Sequence, residues 1–223
     1  MQFDFNSNSI NLSILVFFYL LFWNYPALGI WFYPYDLPAI LFFLTGLYFI
    51  KKEKFIYFYP FFILGTLNRE TIIIILLAYV LRFSSFGNVF KISNIGIISL
   101  FIATWLIIKY YLYIEFSSNP AEQMGGNLFL NKTSENIQFL LGLLKLDKFY
   151  ILRIFSFGGL WLFIYRIKDE LDDFSKRMLI LIPIFLLIIF FVGKLQEVRI
   201  YSELIPLFII PGSQLLRKYL LTN

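Results

Sequence analysis

The chain has 223 residues, of which 60% are hydrophobic, 22% aromatic and 15% charged, with a formal charge of +5 and a mean hydropathy of +0.77. A soluble domain carries about 45–50% apolar and about 25% charged residues, so this composition, with its apolar residues in long blocks, is that of a membrane protein. The absence of cysteine and histidine excludes disulfides, thiolate ligands, imidazole metal sites and Ser-His chemistry, and the scattered basic residues do not form a nucleic-acid surface.

The first nine residues contain no Lys or Arg. A cleavable signal peptide needs a basic start, so the chain reads as beginning inside a larger hydrophobic pattern. Ile10–Trp23 is an apolar run, broken at Asn24-Tyr25-Pro26 and resumed through Trp31, which predicts one helix kinked at the proline. Trp31–Asp36 supplies interfacial aromatics and then Asp36, whose carboxylate can cap the next helix, Leu37–Ile50. Lys51-Lys52-Glu53-Lys54 ends that helix and marks the cytoplasmic side.

Phe55–Phe83 is apolar at both ends and carries Asn68-Arg69-Glu70-Thr71 in its middle. Ionisable groups at membrane depth are expensive and face a protein interior or a wet cavity. As one helix its 29 residues would reach about 43 Å, against about 30 Å of hydrocarbon. As two short helices, Phe55–Leu67 and Thr71–Phe83, it would form a hairpin with a polar tip, with Asn68 as helix cap and Glu70 as first-turn acid.

Downstream, Ile92–Ile114 is a full span with Lys109 inside it. A polar outer loop of about 115–148 follows, containing the short amphipathic piece Phe139–Leu146. Phe149–Tyr165 spans, about 166–177 is a cytoplasmic loop, and Met178–Val192 and Ile200–Leu215 are the last spans. With the hairpin, Lys51, Lys52, Lys54, Arg82, Lys91, Arg166, Lys168, Lys176, Arg177, Arg217 and Lys218 are cytoplasmic, eleven against the seven outer charges Arg69, Lys132, Lys145, Lys148, Arg153, Lys194 and Arg199. A continuous helix inverts every later segment and leaves nine against eight, so the positive-inside rule selects the hairpin. The predicted fold is all-α: residues 1–223 form a single multi-span domain of about eight membrane helices, with both termini cytoplasmic. Lys-, Ile- and Phe-rich usage without cysteine points to a bacterial inner membrane, so the sequon-like Asn131-Lys132-Thr133 is set aside.

In that topology the chemistry-bearing groups gather on the outer side: Asp36, Asn68, Arg69 and Glu70, then Glu115, Lys194, Glu197, Arg199 and Glu203. Arg69 is a permanently charged fork suited to bidentate phosphate binding, although pairing with a carboxylate would explain it equally. Asp36 has its ordinary capping role. Arg199 and Glu203, spaced i, i+4, would pair on one helix face as an interfacial anchor.

Three fragments carry a resemblance: YPYDLPAILFF at 33–43, LGTLNRET at 64–71 and EVRIYSELIP at 197–206. Together they resemble the middle of GT-C-type membrane glycosyltransferases and, more closely, bacterial multi-span proteins with an NRET-like tip and a late E-x-R. The resemblance implies a lipid-phosphate-linked sugar donor and an active site facing away from the cytoplasm. On this chain Glu70 or Asp36 would orient or deprotonate the acceptor hydroxyl. Arg69 and Arg199 would stabilise the leaving lipid phosphate, with Asn68 and Glu197 binding substrate beside them. No cofactor is implied beyond an optional divalent ion. The family's acidic pair in the first outer loop has no counterpart here, so the chain reads as an N-terminally short member or as one part of a split enzyme whose partner membrane protein supplies the rest. The alternative is a non-catalytic subunit, a polymerase or flippase partner in lipid-linked glycan handling. An ion-coupled transporter ranks last, since it would want broken helices in two matching halves.

Overall fold

A computed structural model describes residues 7–24, 34–83, 86–117, 133–145, 164, 166, 168–195, 197–209 and 211–212. Every element among them is helical. The chain divides into two compact units, Leu37–Lys132 and the pair of segments Met1–Asp36 with Thr133–Asn223.

The Leu37–Lys132 unit is built from α2 (Asp36–Lys51), α3 (Phe55–Asn68), a 3₁₀ turn (Glu70–Ile73), α4 (Ile74–Leu81), the short α5 (Phe86–Val89) and α6 (Ile92–Phe116). α2 ends where its lysines begin. Lys54 N–H returns to the Phe49 carbonyl at 2.9 Å and Glu53 N–H to that of Ile50 at 3.2 Å. Glu53, with φ 57, takes the left-handed position that glycine usually fills in this type of helix stop.

The predicted break within 55–83 is present, and the two short helices run antiparallel. Near their open end the rings of Phe55 and Tyr79 meet at 5.0 Å. Near the turn, a Cβ placed on Gly65 would lie 2.8 Å from Ile72 Cγ1. α2 packs on both helices in the same manner, because a Cβ on Gly46 would lie 2.7 Å from Ile75 Cδ1 and 3.0 Å from the Phe58 ring. Such small-residue contacts let apolar helices approach one another closely.

α6 completes this unit through Phe101, which stacks on Phe58 at 5.0 Å and meets Phe62 edge-on at 4.8 Å. The hydroxyls of Tyr59 and Thr104 share a hydrogen bond of 2.9 Å, and Tyr79 Oη donates to Asn94 Oδ1 at 3.1 Å. At 25 residues, α6 is about 37 Å long, enough to cross a bilayer. Phe101 is its one buried residue; Ile92, Ile102, Leu106, Ile107 and Tyr110 stand exposed.

In the other unit α1 (Ser7–Asn24), with Val16 and Leu20 buried, packs on a 3₁₀ run at Val198–Leu204. α7 (Thr133–Leu144) lies against α9 (Leu181–Val192), which α8 (Asp173–Met178) leads into. Asp172 caps α8 by accepting from Ser175 N–H at 3.1 Å, the contact that satisfies a free first-turn amide. α9 buries Leu181, Phe185 and Ile189 along one stripe and exposes Leu186, Leu187 and Phe191 on the other face. Ile92–Phe116 and Asp173–Phe191 are long and apolar enough to cross a membrane.

Three boundaries differ from the sequence expectation. The amphipathic piece starts at Thr133 rather than Phe139. The polar loop ending at 177 already contains the first turns of α8. The expected span Ile200–Leu215 opens instead as the 3₁₀ run, with helix at 205–209. Pro206 accounts for this: it has no N–H and its ring clashes with the carbonyl four residues earlier, which turns the preceding segment toward tighter winding. The expected kink at Pro26 with its continuation through Trp31 and, apart from Ile164, the span Phe149–Tyr165 lie outside the described residues.

Candidate functional site

The turn between α3 and α4 begins where helix geometry stops at Arg69. Its N–H still bonds the Gly65 carbonyl at 2.8 Å, but its backbone is extended (φ −158, ψ 135). The carbonyl of Arg69 then accepts from Ile72 N–H at 3.4 Å, opening the 3₁₀ turn. The β-branched run Thr71-Ile72-Ile73-Ile74-Ile75 is stiff at χ1 and a modest helix former, which suits a tight start to the returning helix. Gly65, Thr66 and Ile72 are buried beneath the turn, while Asn68, Arg69 and Thr71 are half-buried on it. Thr66 satisfies its hydroxyl inside α3 by donating to the Phe62 carbonyl at 2.8 Å.

Asn68, Arg69 and Glu70 are therefore consecutive around one rigid turn. The expected cap differs in detail: Asn68 is the last residue of α3, Arg69 holds the cap position before the 3₁₀ turn, and no side chain caps it. Glu70 is the first-turn acid in backbone position, while its side chain lies outside the described part.

Asp36, Glu197 and Arg199 belong to the other unit. Asp36 stands in the first turn of α2 and is 0% exposed. Glu197 precedes the 3₁₀ run and Arg199 lies within it, with a side chain outside the described part. The expected i, i+4 pairing of Arg199 with Glu203 involves a side chain outside the described residues. Glu203 and Ser202 are buried in this run, and Tyr201 donates to the Leu195 carbonyl at 2.8 Å.

Two polar centres of the structure went unnoticed in the sequence. Arg82, at the open end of the α3–α4 hairpin, lies over the rings of Phe55 (4.3 Å), Tyr79 (4.5 Å) and Phe83 (4.3 Å) and bonds Glu53 at 3.2 Å. The Y-x-x-R-F run at the α4 end, Tyr79–Phe83, and the aromatic start of α3 were its only signal. Asn136 on α7 is 1% exposed. Its Nδ2 donates to the carbonyls of Phe190 (2.7 Å) and Gly193 (2.8 Å), and its Oδ1 accepts from Leu195 N–H (2.8 Å). The side chain thus closes the C-terminus of α9, where helical carbonyls otherwise lack partners.

Among the described residues no group of three acidic side chains could hold a metal ion. The described residues are all-helical, with two apolar helices of membrane-crossing length among them. No known family matches the chain, and no characterised protein or solved structure is significantly similar to it.

Proposed function

We propose that this is a polytopic membrane protein of about eight membrane helices, bacterial and of the inner membrane, with cytoplasmic termini. We further propose that it handles a lipid-phosphate-linked sugar on the extracytoplasmic side as a GT-C-like glycosyltransferase or a shortened relative. The membrane assignment is supported by α6: a 25-residue helix with one buried side chain would be insoluble in water and is at home in lipid. The phosphate assignment is carried by one observation, the placement of Arg69 in the extended break between two apolar helices. A guanidinium at that break offers a planar, permanently charged fork to a phosphate.

In the reaction, the acceptor oxygen bonds to the anomeric carbon as the bond to the lipid phosphate breaks. Glu70 takes the acceptor proton and Arg69 balances the charge left on the phosphate. The test is transfer from a polyprenyl-phosphate sugar in proteoliposomes by Arg69→Ala and Glu70→Gln. Loss of transfer in both supports the site, and intact transfer by well-folded variants rejects it.

A second reading, a non-catalytic subunit beside a complete transferase or flippase, is favoured by Asp36. Fully buried, it reaches no acceptor as it stands. Under this reading the purified protein transfers nothing alone and restores transfer when its partner is added.

A further inference from the structure

We propose that α7 is an interfacial helix whose exposed leucine face lies in the headgroup–acyl boundary of the bilayer, held there by Asn136. The inference rests on the membrane reading above and assigns a surface that reading leaves open.

The four residues Ile137, Leu140, Leu141 and Leu144 are between 42% and 79% exposed. At about 100° per residue they fall within an arc of about 100° on one side of α7. Asn136 and Phe139 are buried on the adjoining side; Ser134 is exposed at the other edge of the arc, with Gln138 and then Glu135 exposed beyond it. Among the described side chains, Phe139 is therefore used against the protein while the four-residue stripe faces outward.

What covers the outward stripe follows from where α7 is fastened. Asn136 bonds both sides of the α9 terminus, from Phe190 to Leu195, and Lys194 pairs with Glu135 at 3.5 Å. α9 is the end of an apolar helix of membrane-crossing length. Its apolar run stops at Gly193-Lys194, so this terminus marks the level at which hydrocarbon gives way to headgroups. A helix pinned at that level with an open apolar stripe buries it in the boundary, continuous with the lipid-facing side of α9. Lys145 at the end of α7 adds positive charge toward anionic headgroups.

The chain contains no cysteine, so single-cysteine variants take one environment-sensitive fluorophore each. Leu141→Cys, Leu144→Cys, Gln138→Cys and, as a mid-span control in α6, Leu106→Cys are reconstituted in vesicles of phosphatidylethanolamine and phosphatidylglycerol. The expected result is quenching at 141 and 144 by lipids with a nitroxide near the top of the acyl chain, and several-fold stronger iodide quenching at 138 than at 141. Equal iodide access at 138 and 141 overturns the proposal, as does a label at 141 shielded from both iodide and lipid, which would mean a protein partner or second copy covers the stripe. Quenching at 141 by a deep nitroxide overturns it in favour of a spanning helix. Position 106 separates the two levels: deep-lipid quenching there with water-exposed 141 sinks only the interfacial helix, and no lipid quenching at 106 sinks the membrane reading itself.

Discussion

Glu53 reaches Arg82 at 3.2 Å from a backbone position, φ 57, where a side chain is ordinarily disfavoured. The two residues join the α2–α3 corner to the end of α4, while three aromatic rings surround the Arg82 guanidinium, whose side chain is 11% exposed. Glu53→Ala removes the contact and keeps the backbone strain, so it should destabilise by about 0.5–1 kcal/mol, the worth of a partly screened pair. Glu53→Gly removes the same contact but relieves about 1 kcal/mol of left-handed strain, and should be at least as stable as the native protein. Unfolding in detergent compares them; a glycine variant no better than the alanine variant would refute the strain account. Arg82→Ala should cost more than either, about 2 kcal/mol, because it also removes the ring contacts.

In the other unit, Asn136→Ala should destabilise by about 1–3 kcal/mol, because it strands two carbonyls and one N–H in a buried place. Asn136→Asp, which keeps the acceptor for Leu195 and loses both donors, should be no better. Hydrogen exchange at the Leu195 amide checks the assignment: faster exchange is expected in the alanine variant and unchanged exchange counts against it.

The glycines of the Leu37–Lys132 unit divide by environment. Gly46→Ala should cost about 1–3 kcal/mol, the usual range for overpacking, since its Cβ would lie 2.7 Å from Ile75 Cδ1. Ile75→Val deletes that atom and should recover part of the loss in the double variant. Gly96→Ala meets nothing within 4 Å in α6 and should stabilise by up to about 1 kcal/mol through helix propensity. A Gly46→Ala variant as stable as Gly96→Ala would mean the helices are farther apart than described.

The Asp169–Lys176 contact, 3.0 Å, predicts a pH effect. Hydrogen bonding from Lys176, and then its charge, hold the Asp169 pKa below the ordinary carboxylate range. A carboxyl lowered on folding contributes stability above its unfolded pKa and loses it as pH falls through the folded one. Both side chains are well exposed, so screening leaves little stability at stake. Carboxyl carbon NMR should show the Asp169 pKa rising toward its ordinary value in Lys176→Ala, with the neutral-pH unfolding midpoint unchanged.

The parts of the fold legible in the sequence were those written in charge and length. Lys51–Lys54 announced the end of α2, and Ile92 the start of α6. The break at Asn68–Glu70 was legible because an apolar run of that length with a charged middle has few alternatives in a bilayer. The 3₁₀ run at Val198–Leu204 was not, since its residues read equally well as an α-helix and only Pro206 hinted otherwise. Asn136 was hidden for a different reason. A polar residue inside an amphipathic segment reads as solvated, and its acceptors lie more than fifty residues away. Of the candidate site, consecutive residues 68–70 were readable, whereas relations to Asp36 and Arg199 depend on tertiary placement that spacing does not encode.

The hairpin's brevity has a geometric consequence for any lipid substrate. α3 has 14 residues and so rises about 21 Å from a start beside Lys54, which the proposed topology sets at the headgroup level of one leaflet. Under the proposed topology, in hydrocarbon about 30 Å thick, Arg69 would come to rest about 9 Å beneath the far surface. The bilayer would in effect be thinned over the turn, as though dimpled from the opposite side. A lipid-linked phosphate approaching laterally from that leaflet would sink only the depth of the dimple to meet the guanidinium, while its isoprenoid tail would never leave the surrounding chains. Lengthening α3 by one turn would lift Arg69 by about 5.4 Å and fill most of the depression.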